Sequence, residues 1–113
     1  MRKFVLFYYG SPQFASAEEA QAHRKRWEKW AAALGSAIVE KGIPVGATRS
    51  VTRSGAQDAK TELPLTGYTV VQAASMEEAV AMTKKCPFVE DGGRMDVAEA
   101  RSEEHTSKLQ SPI

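Results

Sequence analysis

The sequence predicts an α+β fold, a four-stranded antiparallel sheet with two helices on one face. Three observations carry the prediction. The run Phe4-Val5-Leu6-Phe7-Tyr8-Tyr9 is apolar at every position, so both faces of the strand it forms need cover. Two Ser-x-x-Glu boxes, Ser16 to Glu19 and Ser75 to Glu78, each open a stretch of helical periodicity. The elements read in the order strand, helix, strand, strand, helix, strand, the split βαβ or ferredoxin-like βαββαβ arrangement.

In chain order, Phe4 to Tyr9 is followed by the turn signal Gly10-Ser11-Pro12. Ser16 caps the first helix, a contribution of about 1 kcal/mol. Its apolar stripe is Ala20, Trp27, Trp30, Ala31 and Leu34, with His23 inside the stripe. Arg24, Lys25, Arg26, Glu28 and Lys29 lie mostly off it and read as a solvated face. Gly35 suits a C-terminal cap. Ala37 begins a second extended segment, which Lys41-Gly42-Ile43-Pro44 interrupts and Val45 to Thr52 is expected to resume. Arg53 to Pro64 reads as an exposed hairpin loop, and Leu65 to Ala73 as the third strand. The second helix presents Ala79, Val80, Thr83 and Cys86 and is stopped by Pro87. Asp91-Gly92-Gly93 makes a turn, and Arg94 to Ala100 is the last strand.

Two helices can cover only one face of such a sheet. The other would leave several large apolar side chains in water, and burying each is worth about 1.5–3 kcal/mol. A second copy of the chain, packed sheet to sheet about a two-fold axis, resolves this, so a homodimer is expected.

The 113 residues argue for one domain, and 42% hydrophobic with 26% charged residues is ordinary for a globular protein. A net charge of +1 gives no field for nucleic acid or anionic lipid. No apolar run approaches the ~18 residues of a membrane span, and the first apolar run is too short for a signal peptide. One cysteine permits no internal disulfide. A cytoplasmic location is the expectation that follows.

Several motifs together look like a known family. They are Phe4 to Gly10, the helix segment His23-Arg24-Lys25-Arg26-Trp27-Glu28-Lys29-Trp30, the pair Gly42 and Gly46, Leu65-Thr66-Gly67-Tyr68, and Lys85-Cys86-Pro87-Phe88-Val89-Glu90-Asp91-Gly92-Gly93. The chain resembles the YCII-related proteins of the dimeric α+β barrel superfamily over nearly all of residues 1–100. The resemblance implies a ferredoxin-like subunit, a dimer with facing sheets and a small cavity between sheet and helices. Part of the family looks like a small enzyme group with a histidine on the first helix and an aspartate just before a Pro-aromatic pair. His23 matches. Cys86 stands where that aspartate would be, so the match stops at His23; Asp91 and Asp96 are near in sequence but outside the motif position.

Residues 101–113 are expected to be a separate, non-native tail. Arg101 to Ser111 resembles a translated sequencing adapter, with Lys108 as the one departure, which suggests a metagenomic bacterial source. The tail is expected to be disordered, and His105 carries no chemistry.

His23 is the leading candidate for general acid or base, because imidazole titrates near neutrality. Asp96 is a second catalytic candidate if it faces the sheet-to-sheet side, with Arg49 or Arg94 as partner. Tyr8, Trp27, Tyr68 and Arg49 are candidate ligand-binding residues. Cys86 reads as a small buried hydrophobe at a helix C-terminus, where the dipole disfavours a thiolate. No spacing suits a metal, and no cofactor is expected. Two functions follow: a small cofactor-independent enzyme using His23 on a small organic molecule, or a non-catalytic ligand-binding or accessory dimer. A haem-binding or oxygenase role is a more distant third and needs an axial ligand.

Overall fold

The computed structural model describes residues 1–59 and 62–101; the tail from residue 102 onward lies outside the described residues. The central strand is β1 (Arg2–Tyr9). It pairs antiparallel with β5 (Leu65–Ala73) on one side and β6 (Arg94–Glu99) on the other, and β2 (Ile38–Glu40) completes the sheet in the order β2-β5-β1-β6. This is the ferredoxin-like antiparallel sheet that the sequence predicts.

Alternation divides β1 between the two faces. Phe4 and Leu6 are fully buried and Tyr8 nearly so, packed with Val71 and Ala73 of β5 against the helices. Val5, Phe7 and Tyr9 point to the other face and are half-buried. Helix α1 (Ala17–Leu34) lays Trp30 and Ala31 into the core, and α2 (Met76–Lys84) adds Ala79. Trp30 Nε1 ties the helices together by donating to the Met82 carbonyl at 2.9 Å. Both caps form: the Ser16 hydroxyl accepts from the Glu19 amide, and the Ser75 hydroxyl from the Glu78 amide. Glu19 in turn reaches back to the Ala15 amide, one residue earlier than a closed capping box requires.

Two expectations change. The segment Val45 to Thr52 does not resume the second strand. After a single bridge between Pro44 and Gly67, the chain leaves the sheet, and β3 (Arg49–Thr52) pairs only with β4 (Gly55–Asp58) in a separate, exposed hairpin. The cause is Lys41-Gly42-Ile43-Pro44. Proline has no ladder donor, and Gly42 crosses β5 with φ 82°, so close that a Cβ there would sit 1.7 Å from the Tyr68 carbonyl oxygen. Second, Pro87 does more than end α2. It opens a one-turn helix, α3 (Pro87–Glu90), because its fixed φ and missing N–H suit a first helical position. Cys86 is therefore the N-cap of α3 rather than the end of α2.

Candidate functional site

The site lies at the corner where α1, α3 and the end of β1 meet. On α1, His23, Arg26 and Trp27 are three and four residues apart and share one side of the helix. α3 aims a carboxylate at that side. The Asp91 amide donates to the Pro87 carbonyl at 2.8 Å and the Gly93 amide to the Phe88 carbonyl at 2.8 Å, which closes the turn. Gly93 admits no side chain, since a Cβ would stand 2.4 Å from the Phe88 ring. The run Pro87-Phe88-Val89-Glu90-Asp91-Gly92-Gly93 thus seats Phe88 in the core and leaves Asp91 facing α1.

His23 Nδ1 lies 2.6 Å from Asp91 Oδ2, and Arg26 donates to the same oxygen. The hydrogen bond from His23, reinforced by Arg26, holds the Asp91 carboxyl below the ordinary carboxylate range against the opposing effect of burial. An ionised carboxylate only accepts, so Nδ1 carries a proton, and a ring in its neutral form presents the Nε2 lone pair. Among the described residues Nε2 has no hydrogen-bond partner, and no buried polar side-chain atom lacks one, so Nε2 is accessible. The Phe14 ring flanks the imidazole at a centroid distance of 4.9 Å.

His23 borders a cavity of about 680 Å³. Phe14, Trp27, Ile43, Pro44 and Phe88 give it apolar walls, and Tyr8 and Thr69 lie at the sheet. The Phe88 ring meets the Tyr8 ring edge to face at 5.0 Å. The Tyr8 hydroxyl lies 2.8 Å from Thr69 Oγ1 and accepts from Trp27 Nε1 at 3.2 Å. Burial pushes the Tyr8 phenol up to about 12, so it stays protonated through the neutral range. An apolar cavity with a few converging polar groups is the usual form of a small-molecule site.

Of the candidates read from the sequence, His23, Tyr8 and Trp27 come together here. Tyr68 borders the cavity, but its hydroxyl donates to Glu40, away from His23. Arg49 stands on the β3–β4 hairpin and pairs with Asp58 at 3.4 Å, outside the cavity lining. Asp96 sits opposite Phe7 on the uncovered face, exposed and paired with Arg94 on its own strand. Cys86 leaves the motif position before Pro87 without a carboxylate for His23, and Asp91, outside that position, supplies one from 68 residues away. The local signal was the position of Asp91, one helical turn after a proline and just before two glycines. Cys86 is fully buried, and burial pushes its thiol up to about 11. Among the described residues no cluster of three or more His, Cys, Asp or Glu side chains is placed to hold a metal. No helix among them is long and apolar enough to cross a membrane.

A family model of the YCII-related domain matches residues 2–101. The chain belongs to the YCII-related domain family. The YCII-related chain matches no curated protein. Its fold is similar to that of 5-chloro-2-hydroxyhydroquinone dehydrochlorinase (TftG) from Burkholderia phenoliruptrix AC1100, solved in complex with 2,5-dihydroxybenzoquinone. The TM-score is 0.56 at 16% identity, over 93% of this chain and 99% of that one.

Proposed function

We propose that this YCII-related protein is a small enzyme in which His23 removes a proton from a small organic molecule held in the cavity beside it. The observation that carries the reading is the 2.6 Å contact between His23 Nδ1 and Asp91 Oδ2, with Nε2 left accessible. The carboxylate fixes the tautomer, orients the ring and stabilises the imidazolium that forms when Nε2 takes the proton. The His23 hydrogen bond, reinforced by Arg26, keeps the carboxylate ionised. The electron pair released on the substrate is then free to expel a leaving group or to form an enolate, and the imidazolium returns its proton to product or water. That the fold neighbour is a dehydrochlorinase with a small ring compound bound supports a small-molecule substrate and an elimination.

The reading extends to assembly. Val5, Phe7, Tyr9 and Val70 share the uncovered face, and we infer that a second copy covers it, sheet against sheet.

The test is a turnover screen of small ring compounds carrying a leaving group, with wild-type protein and His23→Ala. Turnover that falls by about a hundredfold or more in His23→Ala, with an unchanged melting temperature, is the expected result. Turnover that survives the substitution overturns the reading. A screen in which compounds bind but none reacts replaces it with the non-catalytic binding dimer.

A further inference from the structure

The hydrogen bonds at the sheet end of the cavity run in one direction. Trp27 Nε1 can only donate, and it points at the Tyr8 oxygen at 3.2 Å. The Lys41 backbone carbonyl can only accept, and the Thr69 hydroxyl donates to it at 2.9 Å. Between these two fixed ends lies the 2.8 Å contact of the Tyr8 and Thr69 hydroxyls. Thr69 has one proton, and Lys41 has it. The Tyr8 proton must therefore lie on the line to Thr69, since any other arrangement sets two lone pairs face to face at that distance. Every proton in the chain Trp27, Tyr8, Thr69, Lys41 is committed within the protein.

What remains on Tyr8 is a second lone pair, on an oxygen whose residue borders the cavity. Nearby, His23 in its neutral form also offers a lone pair, because Asp91 fixes the proton on Nδ1. The inner wall thus offers acceptors where an uncommitted tyrosine would offer a donor.

We propose that Tyr8 is a specificity-determining residue that accepts a hydrogen bond from a ligand hydroxyl, so that the cavity takes hydroxylated aromatic rings and rejects their ethers. The apolar walls formed by Phe14, Trp27 and Phe88 suit a flat ring. This inference rests on the same cavity as the proposed function, but it concerns binding and does not require turnover.

The experiment is calorimetric titration with resorcinol and with its dimethyl ether, 1,3-dimethoxybenzene, using the full chain. Wild-type protein is expected to bind resorcinol about tenfold more tightly than the ether, the scale of one buried hydrogen bond. Tyr8→Phe should lose that preference. Thr69→Val is the second variant. It removes the acceptor of the Tyr8 proton, turns that proton toward the cavity and should raise affinity for the ether above wild type. Repeating the titrations in His23→Ala separates the two readings: the preference survives there if Tyr8 sets it, whatever becomes of turnover. Equal binding of the two probes by wild type, failure of resorcinol to bind at millimolar concentration, or a Thr69→Val protein with unchanged selectivity overturns the proposal.

Discussion

The two faces of the sheet are made of the same kinds of residue and have opposite fates. On the helix side Phe4, Leu6, Val71 and Ala73 are all at 0% exposure, against Trp30, Ala31 and Ala79. On the other side Val5, Phe7, Tyr9 and Val70 are only half-buried. The same β1 backbone supplies both sets, one residue apart. The polar groups differ as well. The helix side holds Asp91 in a shared contact with His23 and Arg26, while Asp96 on the open side pairs with Arg94 at the surface. The covered face carries the fold and the candidate chemistry; the open face carries apolar surface that neither needs within one chain.

The sharpest way to separate the faces is to substitute one β1 residue on each. Phe4→Ala removes a fully buried ring and should cost about 3–5 kcal/mol, enough to unfold much of the population near physiological temperature. Urea denaturation followed by circular dichroism measures it. A loss below about 1 kcal/mol would mean that the helix layer is far looser than its burial indicates.

Phe7→Asp tests the other face. In a single chain it places a carboxylate where one edge is already wet, so the subunit should remain folded. In a sheet-to-sheet dimer it buries an unpaired charge opposite another copy of itself and should abolish association. Analytical ultracentrifugation is expected to find a wild-type dimer and a Phe7→Asp monomer with similar circular dichroism spectra. A wild-type monomer at micromolar concentration would remove the case for a covered second face.

How much of this the sequence discloses depends on the range of the interaction. β5 matches its expected bounds, and β1 and β6 differ at their ends by a residue or two, because period-two patterning is local. The capping boxes are local too. The β3–β4 hairpin was hidden because Val45 to Thr52 has the composition of a sheet strand; its departure follows from the missing donor of Pro44 and the crowding of Gly42 against Tyr68. α3 was hidden because proline both stops and starts helices, and four residues carry no periodicity. Of the site, His23, Tyr8 and Trp27 were legible from the stripe on α1 and the inward face of β1. Asp91 was not, since its pairing with His23 spans 68 residues and depends on where one turn of helix happens to point it.

The two aspartates give the last and smallest contrast. Asp91→Asn should lower turnover by about a hundredfold, because an amide no longer fixes the His23 proton on Nδ1. It should also change how stability depends on pH. The folded carboxyl titrates below its ordinary value near about 3.9, so its ionised form contributes stability above that pH, which is lost as pH falls through the folded value. The stability that the Asp91 carboxylate adds over Asp91→Asn, read as a difference in urea midpoint, should therefore shrink steadily below about pH 4. Asp96→Asn, which loosens only an exposed pair with Arg94, should leave turnover within about twofold of wild type and shift the midpoint by less than Asp91→Asn does. If the two substitutions shift turnover and midpoint alike, Asp91 is another surface ion pair, and the distinction between a chemical and a non-chemical face of the sheet fails.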